Sequence, residues 1–439
     1  MNYKFRQVNI LIAGLCLLVA FSSCSIHRKI SRHACKLLLK DSAIMQGHIG
    51  ISIFEPATGK YWYEHNAEKY FVSASNTKIF SLYAGMKYLG DSIVGLRYLE
   101  TADSIFIEGT GDPTLLHPDF SNHAVLSFLK DNTKPKAFRI NYKDKFSELG
   151  SGWAWSDFEA SYMAERSALP VYGNIATFRL KNGKLQSTPA SFAEKLYMVI
   201  PPDAKFTVNR EQDRNKFYLS NSNSPFTVEE IPFRTEHSGT AIEILADSIG
   251  MVPVLQISTA LPINAKRIFS QASDSLFKLM MHRSDNFFAE QTLLMASNEY
   301  LGYMSDGNMI DTILKTELMG IPQKPKWVDG SGLSRYNLFT PQSFVWLLGK
   351  MKNEFGWERI KNILPTGGEG TLSSYYKTEQ YFIYAKTGTL SNNCALSGYL
   401  ITKKNKLLVF SVLANNYQTS ATPVRRAVER FLKGLREEY

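Results

Sequence analysis

The sequence predicts an α/β domain interrupted by a long, mostly β insertion. Three observations carry this reading. An alternating run with its turn and return makes one hairpin near the start, and two runs turning at Lys403 to Lys406 make another near the end of the chain. Apolar residues at three- and four-residue steps mark helices inside those hairpins. From about Leu99 to Ser258 the texture changes to short β-like runs separated by Asn, Asp, Gly and Pro. The expected division is an export signal over 1–24, a first part of the main domain over 25–98, the insertion over 99–258 in one or two subdomains, and a second part of the main domain over 259–439.

The chain has 439 residues, 44% hydrophobic and 21% charged, a globular composition with room for two or three domains. Its net charge of +10 is diffuse. No basic stripe carries interleaved aromatics, so nucleic acid is not an expected partner. Lys4 and Arg6 precede an apolar core, Ile10 to Phe21, too short to span a bilayer as a mature helix. Phe21-Ser22-Ser23-Cys24 then resembles a lipobox, which makes Cys24 the expected site of lipidation and membrane attachment; ordinary cleavage nearby is the rival. Cys16 leaves with the signal. For Cys35 and Cys394 a disulfide is one reading, and two buried, small, apolar side chains are the default. No Cys or His pair has metal-ligand spacing, and no metal or cofactor is expected.

The elements follow in order. HIGISIFEP from His48, the turn ATGK and YWYEHN make the first hairpin. In FVSASNTKIFSL, Phe71 to Leu82, the positions Ile79, Leu82, Tyr83 and Met86 predict an amphipathic helix starting near Ser75. The insertion contributes the β-like runs SIFIEG, NIATFRLKN, KFTVN, FYLSN and AIEILA. Helical periodicity resumes at Asp274 and continues through SLFKLMMHRSDNFFAEQTLLMAS. Thr340-Pro341 opens another helix in the order expected of an N-cap and first turn. YFIYAK is a strand entering Lys386-Thr387-Gly388-Thr389, and CALSGYLITKKNKLLVFSVLAN is a hairpin turning at Lys403 to Lys406. Thr422-Pro423 starts a terminal helix to about Arg436.

Three short motifs suggest chemistry. Ser75 and Lys78 lie three apart at a predicted helix start, where free N–H groups favour developing negative charge. A serine hydroxyl needs a neighbouring base, and a lysine serves only if its pKa is lowered toward neutral. The spacing alone says little, since it recurs at Ser127/Lys130, Ser275/Lys278 and Ser374/Lys377. Ser284-Asp285-Asn286 and the single Lys386-Thr387-Gly388 triplet supply the context: S-x-x-K, S-D-N and K-T-G in this order form the set of penicillin-binding proteins and class A β-lactamases.

With ASNTK at Ala74–Lys78, GTGDPTL at Gly109–Leu115, GWAWSD at Gly152–Asp157, HRSDNFFAE at His282–Glu290, DGSGLSR at Asp329–Arg335 and AKTGT at Ala385–Thr389, the chain resembles the class C low-molecular-mass penicillin-binding proteins. These are D-alanyl-D-alanine carboxypeptidase/endopeptidases. The resemblance spans nearly the whole mature chain and includes the long insertion; Ser73 stands where the family often has proline. It implies a transpeptidase/β-lactamase-like fold and action in the periplasm, probed by β-lactam antibiotics as acylating inhibitors. It makes Ser75 the acylated nucleophile, Lys78 its base, Ser284 a proton relay to the leaving amine and Asn286 a holder of the substrate amide. Lys386, Thr387 and Thr389 would bind the terminal carboxylate beside Gly388, and the N–H groups of Ser75 and Thr389 would form the oxyanion hole. A second ammonium is expected to help hold Lys78 neutral. Asp157, Tyr162, Arg335 and Ser391 match a pocket for the zwitterionic end of diaminopimelate; an inter-domain ion pair is the competing reading. A β-lactamase would need a deacylating base that the sequence does not reveal, and an inactive wall-binding scaffold would have no need of Ser75, Lys78, Ser284 and Lys386. Pro365 to Thr371, PTGGEGT, lacks the lysine of a phosphate loop and is expected to be a flexible loop near the site, while His282 reads as structural.

Overall fold

Both ends of the chain build one sheet. In a computed structural model, which describes residues 27–199, 206–220, 226–250, 252–258, 260–262 and 265–439, five antiparallel strands stand in the order Ile383–Leu390, Asn393–Ile401, Leu407–Asn415, His48–Glu55, Lys60–His65. The first hairpin's inner strand pairs with the last strand of the chain, Ile51 opposite Val412. Alternation puts Ile49, Ile51 and Ile53 on a face with Leu396, Phe410, Val412 and Ala414, and the terminal helix Ala421–Glu438 buries Val424, Val428, Phe431 and Leu435 in the same core. Thr340 caps the helix Pro341–Phe355 by accepting from Ser343 N at 3.0 Å. These elements belong to one compact unit, residues 1–76, 321–326 and 337–439.

The second unit takes residues 77–320 and 327–336. It holds the helices that follow Thr77 and Ala272 together with the inserted sheets. Gly85 shows how tightly the helices pack: a Cβ there would sit 2.6 Å from Phe277 and 2.7 Å from Thr292, on the helices Ser273–Arg283 and Asn286–Leu301. Among the described residues this unit holds three sheets. Ser92–Glu100, Ile105–Gly109, Lys136–Asn141, Val254–Ser258 and Lys266–Ala272 form a mixed five-stranded sheet. Ile175–Lys181, Lys184–Thr188 and Phe226–Pro232 form a second, and Leu196–Met198, Thr207–Arg210 and Phe217–Ser220 a third. Leu96, Ile107, Phe138, Phe178, Phe217 and Phe233 share one core.

Several expectations change. AIEILA lies in the helix Gly239–Ile249, where Ala241, Ile242, Ile244 and Leu245 are buried; a short apolar run does not reveal its own period. The helix after Ser75 is not amphipathic. A 3-10 turn, Ala74–Thr77, runs into the α-helix Lys78–Tyr88, and every residue from Lys78 to Met86 is buried. The long periodic stretch from Asp274 is two helices, parted at Ser284-Asp285. The PTGGEGT loop is tied down rather than flexible: Thr366 bonds the Ile383 carbonyl at 2.7 Å and bridges Tyr384, and a Cβ on Gly367 would meet the Tyr376 carbonyl at 2.0 Å. Cys394 is buried but Cys35 is partly exposed, and both are free thiols. The export signal and Cys24 lie outside the described residues. Among the described residues no helix is long and apolar enough to cross a membrane.

Candidate active site

In the first unit the stretch carrying Ser75 is pinned from three sides. Phe71 exchanges backbone bonds with Phe339, at 2.8 and 3.0 Å. The Asn415 amide bonds both the N–H and the carbonyl of Val72, and Asn76 reaches the Ser397 hydroxyl at 2.7 Å. Held this way, Ala74 takes φ +47°, a left-handed conformation that costs a non-glycine residue energy, and Ser75 is left half-buried on the turn that follows. The strand Ile383–Leu390 passes directly against this turn. A Cβ on Gly388 would lie 2.6 Å from the Ser73 carbonyl, 3.0 Å from Asn76 N and 3.1 Å from Ser75 N, so only glycine fits. Lys386 on the same strand is fully buried and donates to the Thr387 carbonyl at 2.7 Å. Thr389 is exposed and receives a bond from Arg425 of the terminal helix. Ser391 is exposed on the turn that follows.

In the second unit the first candidate residue is Lys78. Its ammonium is fully buried and donates to Asn286 Oδ1 at 2.6 Å and to the Ser331 carbonyl at 2.7 Å. Burial is the largest influence on it and lowers its pKa to about 8, against the opposing carboxylates of Asp329, Asp285 and Glu290. Desolvation is thus the main cause, where the sequence reading had looked to a second ammonium. Ser284 closes one helix in a left-handed conformation, φ 62° and ψ 39°, and Asp285 caps the next by accepting from Phe288 N at 2.9 Å. Burial raises the Asp285 pKa. Asn286 is therefore the first residue of its helix; its Nδ2 donates to the Tyr162 carbonyl at 3.1 Å while its oxygen receives Lys78. A cleft of about 490 Å³ opens at this joint, walled by His117, Asp119, Ser161, Tyr172, Arg283 and Asp285 among others.

Sequence reasoning missed the groups that hold Lys78 in place. Glu290 accepts from Ser331 N at 2.7 Å, so it helps fix the residue whose carbonyl receives the lysine. Arg166, buried, bridges Glu290 and Asp306. Asp329 accepts from Gly332 N, from Ser334 N and, at 2.9 Å, from the Trp153 indole. Burial, then the Asp329 carboxylate, pushes the Glu290 pKa up, and Arg166 opposes this. Glu290, Asp329 and Trp153 all stand inside the segments HRSDNFFAE, DGSGLSR and GWAWSD, which was the available signal.

Those segments also meet. Gly152, at φ +76°, lies so close to Ser334 and Tyr336 that a Cβ would approach within 2.8 Å of each. Asp157 accepts from the Tyr162 hydroxyl at 2.9 Å and from Ser156 at 3.2 Å, and it makes no ion pair among the described residues. Arg335 is exposed.

One unit holds a pinned serine turn beside a K-T-G strand, the other a buried lysine bound to the asparagine of an S-D-N joint, and these are the three motifs of the penicillin-recognising serine enzymes. The comparisons agree. The family model of the D-Ala-D-Ala carboxypeptidase 3 (S13) family matches residues 32–435. The chain belongs to this family and is a serine-type D-Ala-D-Ala carboxypeptidase. A D-alanyl-D-alanine carboxypeptidase of Actinomadura sp. (strain R39) is 24% identical over 88% of this chain and 80% of its own. The D-alanyl-D-alanine carboxypeptidase DacB of Haemophilus influenzae is 23% identical over 81% of this chain and 83% of its own. In fold, the chain is similar to the crystal structure of penicillin binding protein 4 from Haemophilus influenzae, with TM-score 0.71 at 18% identity, covering 92% of this chain and 98% of that one.

Proposed function

We propose that this carboxypeptidase works through an ester on Ser75, with Lys78 as the base. In the proposed reaction Ser75 Oγ attacks the carbonyl carbon of the penultimate D-alanine and Lys78 takes its proton. Ser284 passes a proton to the departing D-alanine amine, and water then hydrolyses the ester, returning the serine. Lys386, Thr387 and Thr389 bind the carboxylate, Gly388 lets the strand approach, and the Ser75 and Thr389 N–H groups stabilise the oxyanion. Asn286 orients Lys78 as well as the substrate amide. The observation that carries this reading is the buried, bonded Lys78, whose pKa of about 8 leaves a usable fraction of free amine at neutral pH. Peptidoglycan stem peptides and their D-Ala–diaminopimelate cross-links are the substrates, β-lactams acylate the same serine, and the protein is anchored in the bacterial envelope through Cys24.

The test is intact-mass analysis and peptide mapping after penicillin treatment, beside digestion of a purified cross-linked muropeptide. One adduct on Ser75 and release of D-alanine or of cleaved cross-link are expected. An adduct on another serine rejects the assignment, and rapid turnover of the penicillin favours a β-lactamase.

A further inference from the structure

The terminal helix Ala421–Glu438 carries five cations, of which Arg436 is buried, and four of them have carboxylate partners. Arg426 pairs with Glu429, Arg430 with Asp41, Lys433 with Glu379 and Arg436 with Glu437. Arg425 has no carboxylate partner among the described residues. Its Nη2 donates to the Thr389 hydroxyl, its guanidinium lies 5.8 Å from the centre of the Tyr375 ring, and it borders the buried Cys394 thiol. Its Nε is buried and meets no acceptor among the described residues. Cys394 stands opposite Thr389 in the strand register, so the arginine is seated at the exposed end of the K-T-G-T strand.

An arginine held on an aromatic face and a hydroxyl, with no anion beside it, is a binding site for one. The hydrogen-bond roles point the same way. Thr389 Oγ accepts from Arg425, which leaves the hydroxyl proton to donate outward. An arriving carboxylate finds an O–H and the guanidinium fork together. Lys386 serves differently: it is buried, and it bonds the carbonyl of Thr387.

We propose that Arg425 is a specificity-determining residue, binding the terminal carboxylate of the substrate peptide together with the Thr389 hydroxyl. The proposal rests on the reading of Ser75 and the K-T-G-T strand given above. Its test uses two acyl-D-alanyl thioesters, one ending in thioglycolate with a free carboxylate and the other in its methyl ester. Wild-type enzyme should prefer the acid. Arg425→Gln should lower kcat/KM on the acid roughly tenfold to hundredfold, chiefly through KM, because a charge-assisted partner is lost. The ester should be nearly unaffected, so the preference collapses, and Arg425→Lys should restore part of it. Equal losses on acid and ester, or an unchanged preference, overturn the proposal. If the Gln variant does not fold, Arg425→Lys decides alone, with an unchanged acid-to-ester ratio counting against the proposal. Failure of the underlying reading is distinct: Ser75→Ala would then hydrolyse the acid as fast as wild type, and the proposal would fall with it.

Discussion

Lys78 is buried as deeply as any core side chain, yet its Nζ keeps two acceptors, Asn286 Oδ1 and the Ser331 carbonyl. In the proposed reaction it acts only as the free amine. Penicillin acylation should therefore rise with pH and level off above about 8, the value to which burial lowers this lysine. Glu290, Asp329 and Asp285 all hold the proton on Lys78, so Glu290→Gln should move that limb to lower pH. A rate that falls between pH 6 and 8, or a limb that Glu290→Gln shifts upward, would remove Lys78 from the role of base. Gly388 is a second residue with a stringent demand. Gly388→Ala presses a methyl on three backbone atoms of the Ser75 turn, which have no side chain's freedom to move aside. It should cost about 1–3 kcal/mol of stability and most of the acylation rate, read by melting and by penicillin labelling.

Among the elements, the joint between the helices Ser273–Arg283 and Asn286–Leu301 separates architecture from chemistry. Ser284 occupies a left-handed position that glycine tolerates better, and Asp285 caps the following helix. Ser284→Gly should leave the melting temperature at or above wild type yet lower acylation by roughly 10²–10⁴, the worth of a positioned proton carrier. Asp285→Ala should cost about 0.5–2 kcal/mol of stability with a smaller loss of rate. The two loops GWAWSD and DGSGLSR give a further prediction, since Trp153 and Gly152 lock one against the other and Asp157 makes no ion pair among the described residues. If Asp157 and Arg335 bind the ammonium and carboxylate of diaminopimelate, removing either should cost about 1.5–3 kcal/mol of binding, a tenfold to hundredfold loss in kcat/KM. The loss should fall on peptides with a free diaminopimelyl end and spare a capped D-Ala–D-Ala peptide. Equal losses of Asp157→Asn and Arg335→Ala on both substrates, with a lowered melting temperature, would instead mark a structural pair.

At the scale of the whole molecule, the first and last strands of the chain share a sheet, so neither terminal segment of the first unit completes its core alone. Attachment to the envelope is the matching prediction. Cells expressing Cys24→Ala should lose acyl-chain labelling of this protein and release it from membranes, while wild type is labelled. A wild-type mature protein that begins at another residue and fractionates as soluble rejects the anchor.

Much of this fold was legible locally. Alternation marked the first hairpin, the turn at Lys403 to Lys406 marked the second, and Thr340-Pro341 marked its helix, because strands, turns and helix caps are favoured by neighbouring residues. The motifs around Ser75, Lys78, Ser284, Asn286 and Lys386 stand out in the sequence by residue type and order, and the chemistry proposed for them starts from that. What the sequence concealed depends on contacts between distant segments. AIEILA became a helix because its apolar residues are buried in the packed insertion core, and Gly85 lets its helix close on the helices of Phe277 and Thr292. The Glu290–Arg166–Asp306 bridge joins residues 124 and 140 positions from the arginine, and Arg425 reaches a hydroxyl 36 positions away. The sequence alone determined which groups are present and which local turns they favour. The tertiary structure decided which of them lose water, and desolvation is what lowers the Lys78 pKa and gives its hydrogen bonds their strength.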